Sequence, residues 1–144
     1  MQLNNNLLIN NIQTISDKEY IQVCKSGDLT EGIGKKIELS TDSGDDIEIA
    51  LFRVKGKLFA VSNICPHNQY NRIYYGMIHN FNVTCPVHGW RFSLVTGEKI
   101  GSIKGKGLEK FNVIEKDGVI YIEKPHEKQP KWMTGNENEQ GLGF

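Results

Sequence analysis

Two short segments place donor atoms at matched spacing: Cys65-Pro66-His67 and Cys85-Pro86-Val87-His88-Gly89-Trp90. Together they read C-x-H, seventeen residues, then C-x-x-H. Each supplies one thiolate and one imidazole, soft-to-borderline donors suited to iron or zinc. The proline after each cysteine fixes φ and removes a backbone donor, which stiffens a ligand loop. Gly89 lets the backbone pass close to a bulky group. Zinc fingers pair their thiols locally, as C-x₂₋₄-C followed by H-x₃₋₅-H. Here each loop mixes the two donor types. A mononuclear Cys₂His₂ zinc site is allowed by the donors and disfavoured by the spacing. A binuclear iron–sulfur cluster accounts for the mixing, because each loop can give sulfur to one iron and nitrogen to the other.

Such loops need a rigid scaffold, and the surrounding sequence reads as strands. Ile47, Ile49 and Leu51 alternate with Glu48, Ala50 and Phe52. Leu58-Phe59-Ala60-Val61 follows the turn signal Lys55-Gly56. Phe111, Val113 and Val119-Ile120-Tyr121-Ile122 flank Lys116-Asp117-Gly118. An Asp-Gly between β-prone runs marks a hairpin, because its turn needs positive φ. Thr96-Gly97 after Phe92-Ser93-Leu94 predicts another turn. No stretch keeps a 3.6-residue apolar period with caps, so the expected class is all-β.

With donors and strands in place, the chain resembles the Rieske ferredoxin family over roughly residues 18–123. The doubled motif carries the resemblance, and Arg91-Phe92 with Thr96-Gly97 extends it beyond the donors. The resemblance implies an antiparallel β-sandwich or incomplete barrel with an inserted cluster subdomain at about 61–104. It implies one Rieske-type [2Fe-2S] cluster, held by Cys65 and Cys85 on the inner iron and His67 and His88 on the outer iron. It implies one-electron transfer between a flavin-containing reductase and a terminal enzyme such as a non-haem iron oxygenase. The same fold also serves as the small subunit of assimilatory nitrite reductases, which is the alternative role. A zinc-stabilised interaction module is a third.

The high-potential relatives in cytochrome bc complexes carry a spare cysteine in each loop and aim a serine and a tyrosine hydroxyl at the cluster. Here no spare cysteine exists, and Trp90 and Phe92 stand in those places. Losing donors to the sulfurs disfavours the reduced state, so a low potential is expected. Oxygenase subunits need a second iron on two histidines and a carboxylate. Only His79 and His126 remain, so the chain is expected to carry electrons and not to catalyse. Three departures from the family pattern stand out: Asn68-Gln69-Tyr70-Asn71-Arg72-Ile73 after the first histidine, Ser93 for a common aspartate, and Gly101–Gly107 without proline.

The chain has 144 residues, 17 basic and 17 acidic groups, three cysteines and four histidines. That is one domain's length, able to fold without staples. An odd number of cysteines cannot be fully paired, and the compartment expected by default is the cytoplasm, where thiols stay reduced. Zero net charge excludes a globally basic nucleic-acid binder. No apolar run approaches the roughly 18 residues that span a bilayer, and residues 1–16 show no secretory pattern. Those residues are expected to be an arm or an added edge strand, 17–123 the domain, and 124–144 an irregular polar tail. The charge is uneven: residues 61–116 carry +4, and the segments on either side −2 each. Arg72, Arg91, Lys104 and Lys106 are candidates for steering an acidic partner. Cys24 reads as a core or half-buried structural thiol, His79 as a surface histidine and Trp90 as packing. Tyr70, Tyr74 and Tyr75 are either a docking rim or core.

Overall fold

A computed structural model describes residues 12–15, 17–40, 46–66, 69–87, 89–101 and 105–125. The expected polar tail beyond residue 125 and the residues before 12 lie outside these. Among the described residues there is no α-helix, and every strand pair is antiparallel.

In chain order, β1 (Ile12–Ile15) pairs with β2 (Lys18–Lys25) across a turn in which Asp17 takes φ +67°. Next come β3 (Lys35–Ser40), β4 (Asp46–Val54) and β5 (Lys57–Ser62), paired in succession. Four short strands follow: β6 (Met77–His79), β7 (Asn82–Thr84), β8 (Arg91–Ser93) and β9 (Lys99–Ile100). The chain then returns through β10 (Lys110–Phe111), β11 (Val113–Lys116) and β12 (Val119–Glu123). Three four-stranded sheets result, ordered β1-β2-β12-β11, β10-β5-β4-β3 and β6-β7-β8-β9.

The first two sheets enclose one core, built from Ile21, Val23, Ile37, Ile49, Leu51 and Ile122 with their neighbours. A second core packs the small third sheet against the other side of β4 and β5; Ala50, Phe52 and Val61 meet Val83, Phe92 and Leu94 there. β4 is therefore the wall between two cores. Ile49, Ala50, Leu51 and Phe52 are all fully buried. The alternation seen in the sequence is real, but its second set is apolar too, and both sets are covered. Successive side chains on a strand point to opposite faces, so one strand can serve two cores.

The two clearest turn signals are hairpins. Lys55-Gly56 and Asp117-Gly118 have φ of +52°/+80° and +53°/+78°. Two consecutive positive φ values match the right-handed twist of the flanking strands. Arg53 on β4 reaches Glu115 on β11 with two hydrogen bonds, at 2.9 and 3.3 Å, tying the two sandwich sheets.

Candidate metal centre

The two cysteine-bearing segments fold into loops of the same backbone design. In the first, the Cys65 N–H donates to Tyr70 O and the Gln69 N–H to Cys65 O, each at 2.8 Å. In the second, the Cys85 N–H donates to Trp90 O at 2.7 Å and the Gly89 N–H to Cys85 O at 3.0 Å. Both loops thus close between the cysteine and the fifth residue on. Both place the fourth residue in the left-handed region: Gln69 at φ +64° and Gly89 at +77°. Glycine takes that conformation without strain, whereas glutamine does so at a cost.

Cys65 and Cys85 are each 1 % exposed and belong to the same buried cluster, the second core. Around them the loops carry exposed residues: Tyr70, at the closing position of the first loop, is 47 % exposed, and Val87, within the second, is 37 % exposed. Two buried thiols at equivalent points of two proline-stiffened loops fit the thiolate side of an iron–sulfur centre. No disulfide involves them. The other two candidate donors, His67 and His88, lie outside the described residues. Among the described residues no group of three or more metal-binding side chains gathers.

Two of the departures from the expected pattern, Ser93 and the third loop, are held by local hydrogen bonds. Ser93 Oγ accepts from the Val95 and Thr96 N–H groups at 3.1 Å each, organising the turn as an aspartate would. The third loop is anchored where the chain crosses itself, with the Leu108 N–H donating to Gly97 O at 2.7 Å. Lys104, one of the steering candidates, lies outside the described residues with its neighbours 102 and 103. Trp90 is half-buried, with Lys99 Nζ 4.5 Å from its ring and Phe92 6.3 Å away. It packs, as the sequence led us to expect.

The tyrosines divide. Tyr70 and Tyr75 are exposed, while Tyr74 packs against the second core beneath Lys36. Arg72, Arg91, Lys106 and His79 are exposed. Cys24 is half-buried against the first core; burial pushes its thiol from 9.0 up to about 11, with nearby Lys35 pulling the other way. One residue escaped the sequence reading. Asn63 is fully buried, two positions before Cys65, and is the only polar member of the buried set among the described residues. Its signal was a carboxamide at the end of the apolar run Leu58–Val61.

The family model for the Rieske [2Fe-2S] domain matches residues 19–124. The chain belongs to the Rieske [2Fe-2S] domain family. A curated relative of this Rieske protein is the 3-phenylpropionate/cinnamic acid dioxygenase ferredoxin subunit of Photorhabdus laumondii, 34 % identical over 69 % of this chain and 90 % of that one. A nitrite reductase of Emericella nidulans is 32 % identical over 64 % of this chain but only 9 % of its own length. Among solved structures, a chain from the complex of reduced oxygenase and oxidized ferredoxin in carbazole 1,9a-dioxygenase superposes with a TM-score of 0.60 at 26 % identity. That match covers 70 % of this chain and 98 % of that one. The all-β class, the Rieske fold and the family membership read from the sequence therefore stand. No helix among the described residues is long and apolar enough to cross a membrane.

Proposed function

We propose that this Rieske protein is a cytoplasmic ferredoxin, taking one electron from a flavin-containing reductase and delivering it to a non-haem iron oxygenase. The observation that carries this reading is the pair of matched loops, each with a buried thiol at its base and exposed residues beside it, Gln69 and Tyr70 in the first and Val87 and Gly89 in the second. Cys65 and Cys85 would hold one iron and His67 and His88 the other. When bound, a [2Fe-2S] cluster supplies a one-electron couple. The chain's part is to hold the thiols away from water against Val83, Phe92 and Leu94. Tyr70 and Val87 then offer exposed apolar surface on the two loops, where a redox partner can approach. Relatives named as ferredoxin subunits of dioxygenase systems support the carrier role over a catalytic one.

The potential is low in this reading. Phe92 is wholly buried and Trp90 is packed against Lys99, so neither place offers a hydroxyl to the cluster sulfurs. A potentiometric titration is expected to fall in the lower part of the Rieske range, and a value above about +200 mV would overturn this.

The nitrite reductase match keeps a second role open on the same fold. Both thiols and both histidines are present here, which favours a cluster-bearing carrier. Purification followed by iron and sulfide analysis tests the proposal. Two irons and two sulfides per chain with a rhombic reduced EPR signal are expected. A colourless zinc protein would replace it with the interaction module, and a stable co-purifying large subunit with the nitrite reductase role.

A further inference from the structure

The two loops share a backbone design but not a support. The second loop is the tip of a strand pair: Thr84 and Arg91 are register partners on either side of it, with Val83 and Phe92 behind. That ladder fixes where the loop leaves and returns. The first loop has no such ladder among the described residues. β5 ends at Ser62, and the next element is the single 3₁₀ turn Ile73–Tyr75.

Asn63 occupies the place of the missing ladder. Its Nδ2 donates to Asn71 O at 2.9 Å and to Glu48 Oε1 at 3.1 Å. Its Oδ1 accepts from the Tyr74 N–H at 2.7 Å. Its main chain adds two more links, the N–H donating to Glu48 O at 2.9 Å and the carbonyl accepting from the Ile73 N–H at 3.3 Å. Asn71 Nδ2 reaches the same Glu48 oxygen at 3.4 Å. One side chain thus joins the outgoing strand, the returning chain and β4.

The chemistry requires a carboxamide. The site needs donors for a carbonyl and a carboxylate, and an acceptor for an amide N–H, all from one short side chain. Aspartate would offer no donor and would face Glu48 with like charge. Alanine would leave buried polar groups unmatched.

We propose that Asn63 is a positioning residue for the metal centre. Through Asn71 and Tyr74 it sets the span of the first loop, and so where the Cys65 thiol stands relative to Cys85. This rests on the reading of Cys65 as a ligand. Groups hydrogen-bonded directly to metal ligands change metal affinity by about 10- to 100-fold when removed; Asn63 acts one step further out, so an effect at the lower end is expected.

The test uses the full-length holoprotein. Iron release to a ferrous chelator is timed, and the EPR spectrum of the dithionite-reduced protein is recorded. The chains compared are wild type, Asn63→Asp, Glu48→Ala, the double variant Asn63→Asp/Glu48→Gln, and Ile49→Val as a control weakened in the first core only. Asn63→Asp is expected to release iron about tenfold faster than wild type, with displaced g values. Glu48→Ala should move the same way by less, and it reads the clamp even where Asn63→Asp fails to fold. The double variant should recover part of the retention, because it exchanges the two groups: the carboxamide now on β4 can donate to the carboxylate that replaces Asn63. Ile49→Val should melt earlier yet keep wild-type g values and release. Asn63→Asp and Glu48→Ala both behaving like Ile49→Val would overturn the inference. Wild-type protein holding no iron would instead overturn the ligand reading beneath it.

Discussion

Cys24 lies on β2 against the first core, whereas Cys65 and Cys85 lie in the second core at matched points of two loops. A thiol reacts as its thiolate, so a raised pKa protects it. Burial disfavours the charged form of Cys24 and moves it from 9.0 to about 11. Its alkylation by iodoacetamide should therefore be slow at neutral pH and climb as pH rises toward 11. The folded pKa exceeds the unfolded one, so this group costs no stability below pH 9 and weakens folding as pH rises from there toward 11. A Cys24 alkylated at pH 8 as fast as a small-molecule thiol would contradict this. Cys24→Ser should keep its iron and sulfide, while Cys85→Ser should lose both, measured on protein purified in parallel. The candidate donors can be named from the sequence because residue type and neighbouring prolines mark them locally. Asn63 cannot be, because its meaning lies in bonds to Glu48, Asn71 and Tyr74, which are distant in sequence or visible only once the loop has closed.

At the scale of elements, turns were easier to read than burial or sheet order. Lys55-Gly56 and Asp117-Gly118 announce hairpins by composition alone, because their positive φ values demand it. The two-sided burial of β4 was hidden, since a sequence shows which residues are apolar and not how many layers cover them. Sheet order was hidden too: β12 inserts between β2 and β11 by long-range pairing that no local signal encodes. Thr96-Gly97 was read as one more turn, and the structure gives its glycine a second duty. Gly97 and Gly118 have similar φ, +83° and +78°. A Cβ on Gly118 would meet nothing within 4 Å, whereas one on Gly97 would lie 2.4 Å from Leu108 O. Gly118→Ala should therefore cost only left-handed strain, about 1 kcal/mol. Gly97→Ala adds a backbone collision at the anchor of the third loop and should cost about 2–4 kcal/mol. Urea unfolding of both variants reads the difference; equal losses would mean that the chain crossing at Gly97 yields without cost.

For the molecule as a whole, the zero formal charge conceals a division: +4 over residues 61–116 and −2 on each side. The basic segment is the one that carries both loops, and Arg72, Arg91 and Lys106 are exposed within it. If the proposed cluster is held by the two loops, each electron it takes up would add a negative charge inside that segment, which nearby cations would favour. The same cations would draw an approaching acidic surface toward the loop-bearing segment, since opposite charge attracts it there. Steering of this kind raises association rates by roughly 10- to 1,000-fold and is screened by salt. The Debye length shrinks from about 10 Å at 0.1 M to about 3 Å at 1 M, so the effect has a known range. The second-order rate of electron delivery to the proposed oxygenase partner, followed by stopped-flow bleaching, should fall at least about tenfold between about 20 mM and 500 mM salt. Arg72→Glu and Arg91→Glu should each slow it several-fold at low salt and converge on wild type at high salt. Lys25→Glu, on the sandwich and outside the basic segment, should leave it nearly unchanged. A rate that ignores ionic strength, or one that Lys25→Glu slows as much as Arg91→Glu, would show that the placement of these arginines does not govern the encounter.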